Sequence, residues 1–143
     1  MFLAKAAAYT PHMREVVVTS TEAKLAQEIT IGPHHVLADE EIEKGGTDTG
    51  PEPHELLLAA LGVCTSMTLR LYADRKGWPL QSVRVTLGGA TEDTRYAITR
   101  RIILEGDLDS AQRLRLIEIA NKCPVHRTLT GEVVITTREE AAS

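Results

Sequence analysis

The sequence predicts an α+β fold, and three observations carry that prediction. The stretch from Gly50 to Pro79 (GPEPHELLLAALGVCTSMTLRLYADRKGWP) holds start and stop signals for one long helix. A second, shorter helix signal begins near Asp109. Segments rich in Val, Ile and Thr gather before and after the long helix instead of alternating with helices one by one. The order strands, helix, strands, helix, strand favours α+β over a βαβ repeat with a parallel sheet.

Taken in order, residues 4–9 fit a first short strand broken by Thr10 and Pro11. Residues 13–20 (MREVVVTS) and 24–31 (KLAQEITI) alternate well enough for a hairpin linked through 21–23. Gly32 and Pro33 punctuate, and 34–38 forms a third strand. The acidic, Gly-rich run 39–50 (DEEIEKGGTDTG) reads as a loop, with 39–43 as a solvated face. Pro51 and Pro53 suit a helix start, Glu52 and Glu55 favour the positive end of its dipole, Gly77 stands at C′ and Pro79 forbids resumption. A helix from Pro53 to Lys76 spans roughly 36 Å. Its segment 56–64 (LLLAALGVC) is apolar around the whole circumference, so it has to be wrapped on all sides.

Residues 80–88 and 96–105 read as two strands joined around 89–94. Asp109 and Gln112 have the spacing of a capping box. The helix they open buries Leu114, Ile117 and Ala120, with Leu116 flanking, and ends before Pro124. That places Cys123 at its C-terminal edge. Residues 131–137 (GEVVITT) read as a last strand, and 138–143 as a frayed tail. One domain, 1–143, accommodates this length.

Composition excludes some functions. Hydrophobic residues make up 43% and charged residues 25%, the balance of a soluble globular chain, and a net charge of −4 argues against nucleic acid. The start MFLAKAAAYT is interrupted by Lys5 and lacks a sustained apolar region, so the expected location is the cytoplasm, with no membrane partner. Two cysteines in that compartment are expected as thiols.

On residue type alone, Cys64 inside an apolar helix reads as a packed, inert thiol. Cys123, at a helix C-terminus, is a poor primary nucleophile there but still able to attack an oxidised sulfur. Cys123 and His126 form one Cys-x-x-His pair, which without a second pair is a weak zinc signal. Arg100 and Arg101 read as a solvent-facing pair on a strand.

Two motifs then combine. GGTDTGPEPHELLLAALGVCTSMTLRLYADRKGWPL holds a Pro-x-Glu-Leu-Leu helix start with Cys64 nine residues after Glu55, and ANKCPVHRTL holds a late Cys-Pro. Together they resemble the OsmC/Ohr family of osmotically induced protein C and organic hydroperoxide resistance proteins, from about Gly45 to the end. The resemblance implies two central helices wrapped by antiparallel β-sheets in an intertwined homodimer. It also implies thiol-dependent reduction of organic hydroperoxides with a dithiol reductant; no cofactor or metal is expected, with a metal site at Cys123, His126 and other histidines as a further alternative. Cys64 matches the peroxidatic cysteine and Cys123 the resolving cysteine, which implies a Cys64–Cys123 disulfide during turnover. The alternative on the same fold is a non-catalytic binding or stress protein with unreactive cysteines. The chain departs from the family pattern at the glutamate ten residues before the peroxidatic cysteine, where it has His54, with Glu55 one step later. A peroxidatic thiol also needs an activating cation, and no arginine lies between Glu15 and Glu55, so Arg14 is the first candidate.

Overall fold

The computed structural model describes residues 13–142. The chain divides into two compact units between Leu56 and Leu57. The strand expected at 4–9 lies outside the described residues.

In the first unit, β1 (Val16–Ser20), β2 (Gln27–Ile31) and β3 (His34–Ala38) form an antiparallel sheet in the order β1-β2-β3. The β1–β2 connection is longer than expected, because Thr21 Oγ1 donates to the Ala26 carbonyl at 2.9 Å and closes it as a loop. Gly32, at φ 56°, makes the tight turn into β3, a conformation that favours glycine. The loop after β3 contains a 3₁₀ turn, Ile42–Lys44.

The run 39–43 is not wholly a solvated face. Asp39 is buried, and its Oδ2 accepts from the Thr47 and Thr49 hydroxyls, both at 2.7 Å, and from their backbone N–H groups. These bonds, the Thr49 N–H first, hold the Asp39 carboxyl well below the usual carboxylate range. A carboxylate that gathers the donors of its own loop around it looks, in sequence, like one more acid among several.

Helix α1 (Pro53–Lys76) has the expected bounds, with Gly77 in the left-handed conformation at φ 70° after it. Glu52 and Glu55 cap its start reciprocally, each carboxylate accepting the other's backbone N–H at 2.9 and 2.6 Å.

The second unit adds a long antiparallel hairpin, β4 (Leu80–Glu92) and β5 (Arg95–Gly106), which turns at Asp93 and Thr94 with Asp93 at φ 53°. α1 approaches β4 closely at Gly62, where an added Cβ would lie 2.7 Å from Leu87 Cδ1. The capping box of Asp109 and Gln112 is present and opens α2 (Ser110–Ala120). Leu69 and Ala73 of α1, Leu80 and Leu104 of the hairpin, and Leu116 and Ile119 of α2 form the core.

Three expectations change here. The buried stripe of α2 is Leu116, Ile119 and Ala120, while Leu114 is 65% exposed and Ile117 is half-exposed. The helix has two apolar faces, and the sequence pattern alone does not choose between them. α2 also ends at Ala120, and Pro124 opens a further helix, α3 (Pro124–Thr130). Proline is as well suited to a first helical position as it is unsuited to an interior one. Finally, 131–137 forms no strand: no strand among the described residues pairs with it, and Val134 and Ile135 stand out at 81% and 83% exposure.

Candidate thiol site

Both cysteines belong to the second unit, and both are free thiols. Cys64 lies on α1 and is half-buried, one residue before Thr65, which is fully buried. Cys123 is fully buried. Because Pro124 opens α3, Cys123 is the residue that caps that helix at its N-terminus, not the trailing edge of α2. A backbone N–H of the first turn of α3 therefore faces its sulfur, where the sequence reading placed the carbonyls of a helix C-terminus.

The first turn of α3 engages both sulfurs. The Val125 N–H donates to Cys64 Sγ at 3.4 Å, and the adjacent His126 N–H donates to Cys123 Sγ at 3.4 Å. Thr65 also contacts Cys123. Its hydroxyl hydrogen goes to the Leu61 carbonyl at 2.7 Å, so in the 3.9 Å contact with Cys123 Sγ the thiol is the donor. Two residues 59 positions apart in sequence thus accept from successive amides of α3.

A guanidinium completes the cluster. Arg100 Nη1 donates to Thr65 Oγ1 at 2.9 Å, and its Nη2 donates to Asn121 Oδ1 at 2.9 Å and His126 Nδ1 at 3.1 Å. The expectation that Arg100 faces solvent is therefore corrected: β5 alternates, and Arg100 shares its inward face with Tyr96, Ile98, Ile102 and Leu104. Arg101 is exposed, as expected. The available signal is the strand period itself, because two successive arginines on a half-buried strand point to opposite faces. Thr65 escapes the sequence reading as well, and nothing in its local sequence marks it.

Burial first, and then the charge of Arg100, push His126 below its ordinary value. The neutral ring accepts the Arg100 N–H at Nδ1 and keeps its own proton on Nε2. Among the described residues, no three His, Cys, Asp or Glu side chains gather as a metal site. Arg14 belongs to the first unit, where its side chain lies against Gly32, and Glu55 is engaged in capping α1.

Comparison with known proteins agrees with the fold. It is similar to the OsmC-like protein of Mycoplasma pneumoniae, with a TM-score of 0.73 and 17% identity over 85% of this chain and 90% of that one. The organic hydroperoxide resistance protein OsmC of Legionella pneumophila gives 0.66 and 18% over 85% and 92%. The organic hydroperoxide resistance protein OhrB of Bacillus subtilis gives 0.59 and 19% over 83% and 91%. At these identities the likeness shows the fold alone. No curated protein matches the chain. The description "OsmC-like protein" matches residues 46–138, a range that takes in both thiols, the whole of α1 and the β4–β5 hairpin, and on that match the chain belongs to the OsmC-like family.

Proposed function

We propose that this protein is a thiol-dependent peroxidase for organic hydroperoxides. The observation that carries the proposal is the convergence of Cys64 and Cys123 on adjacent amides of α3. The Cys64 thiolate attacks the distal oxygen of ROOH. The O–O bond breaks, the alkoxide takes a proton to leave as alcohol, and Cys64 remains as a sulfenic acid. The Cys123 thiol then displaces hydroxide from that sulfur. Water leaves, and a Cys64–Cys123 disulfide remains. A dithiol reductant restores both thiols by exchange.

We assign the chain to one OsmC-like domain that acts as a cytoplasmic homodimer. Val63, Met67 and Leu71 support the dimer, since they form an exposed apolar row along α1 at four-residue spacing. α1 is also long and apolar enough to cross a membrane, by length and composition alone. Leu61, Thr65, Leu69 and Ala73 are buried along it, which suits a core helix.

The competing assignment, an OsmC-like binding protein with inert cysteines, draws on the complete burial of Cys123. Mass spectrometry after one equivalent of cumene hydroperoxide separates the two. A peroxidase loses two hydrogens in a single 64–123 disulfide. Recovery of both thiols unmodified overturns the proposal.

A further inference from the structure

A cleft of about 430 Å³ opens within the second unit, between β5, α2 and α3. Its apolar wall is Leu61, Ile98, Ile102, Ile117 and Leu129. Its polar end is Arg100, Asn121, His126 and Thr130. Neither cysteine lines it, and its volume falls within the range of ordinary small-molecule sites.

The charge in this cleft is unbalanced. Arg100 is half-buried, and its three acceptors, Thr65, Asn121 and His126, are all neutral. No carboxylate lies within ion-pair distance of it among the described residues. A guanidinium has five N–H donors, so two remain beyond the three in use. Asn121 gives its carbonyl oxygen to Arg100, which leaves its amide N–H groups to donate to a ligand. A cation taken partly out of water beside an apolar wall is best matched by an anion that carries an apolar tail. One arginine and no lysine line the cleft, so a singly charged group fits better than a phosphate dianion.

We propose that this cleft binds an aliphatic monocarboxylate, with the carboxylate on Arg100 and the chain along Ile98, Ile102, Ile117 and Leu129. The proposal does not require the thiols to react, although the cleft shares Arg100 and His126 with the thiol cluster, and it gives Arg100 a role that its hydrogen bonds to Thr65 and His126 do not exhaust.

Isothermal titration of the full chain with octanoate, 1-octanol and octylamine tests it. Octanoate is expected to saturate one site per chain and to bind at least about tenfold more tightly than either neutral or cationic analogue. Arg100→Gln should weaken octanoate binding by about tenfold or more. Ile117→Glu, on the half-exposed wall and so a small risk to folding, should do the same by setting a like charge in the cleft. Cys64→Ser should bind octanoate as the wild type does, so failure here and failure of the peroxidase assignment are told apart. Equal affinity for octanol and octanoate, absence of saturation, or indifference to Ile117→Glu would each overturn the proposal.

Discussion

The two units bury apolar surface to very different degrees. The second closes a core in which Leu69 and Leu116 are completely buried, and its thiol cluster is built against that core. The first makes a three-stranded sheet from good strand formers, yet Val16, Val17, Val18, Val36 and Leu37 are all at least 41% exposed. Successive residues of β1 point to opposite faces, so both faces of that sheet are apolar and open. A sheet of this size gains independent stability only when a face is covered. The second unit therefore closes a core of its own, whereas the sheet of the first does not. The α1 row of Val63, Met67 and Leu71 and the bare 133–135 segment are exposed as well, and the proposed homodimer would cover such surfaces.

The sharpest way to break this contrast is through activity. If the chemistry resides in the second unit, Cys64→Ser abolishes hydroperoxide consumption, a loss of at least about a thousandfold, or ~4 kcal/mol in barrier. Cys123→Ser keeps the first oxidation but stops turnover, leaving a sulfenic acid at Cys64 that dimedone labels. His54→Ala, at the start of α1 in the first unit, should change the rate by less than about tenfold. His54 is ten residues before Cys64, about 15 Å along the helix axis. Full activity in Cys64→Ser, or its loss in His54→Ala, would move the chemistry elsewhere.

Stability sharpens the same contrast. Leu116→Ala empties part of a closed core and should cost about 2–5 kcal/mol in denaturant unfolding. Val17→Ala at a protein concentration where sedimentation shows monomer should cost under about 0.5 kcal/mol, as for an exposed site. At concentrations where sedimentation shows dimer, the Val17 cost should rise. A concentration-independent cost, or a folded monomer that persists at every concentration, would mean that the first sheet is covered by something other than a second copy.

How much of the molecule is legible in the sequence depends on how local the cause is. The bounds of α1, the Gly77 terminator and the Asp109–Gln112 box come from neighbours a few residues apart, and each can be read directly. Pro124 is legible only as a break, because the same residue that stops α2 starts α3, and only contacts distant in sequence choose between the two. That one ambiguity decides which backbone groups face Cys123. Arg100 and Thr65 depend on the register of β5 against α1 and α3, which no local pattern encodes. The family motif locates both cysteines without any of this, and the chemistry around them comes only from the fold.

A smaller effect is expected at Thr65. Thr65→Val keeps the shape but removes the acceptor for the Arg100 N–H and the Cys123 thiol. An orphaned guanidinium donor costs about 1–3 kcal/mol in stability. Disulfide formation after the first oxidation should slow by about three- to tenfold, while sulfenic acid formation is little changed. Thr65→Ser, which restores the hydroxyl, should recover the rate. If Ser and Val behave alike, Thr65 acts by packing alone.

The smallest effect is a pH dependence, and its sign is set by His126. Burial and the Arg100 charge hold this ring below its ordinary value of 6.5, so the fold favours the neutral form. Above pH 6.5 the ring is neutral in both the folded and unfolded chain, and its contribution to stability is fully present. As pH falls below 6.5, the unfolded chain takes up a proton that the folded chain resists, so stability declines. The decline levels off once the pH has passed through the lowered folded value. In that range the protonated ring also ceases to accept from Arg100 Nη2, so the thiol cluster loosens where stability is lost. Asp39 shifts in the same direction, but its contribution is lost only below about pH 4, a separate window. Thermal midpoints between about pH 7.5 and 5.0 should therefore fall more steeply for the wild type than for His126→Gln, which keeps an acceptor for Arg100 but does not titrate. Parallel slopes in the two proteins would place the pH-sensitive group outside the second unit's thiol site.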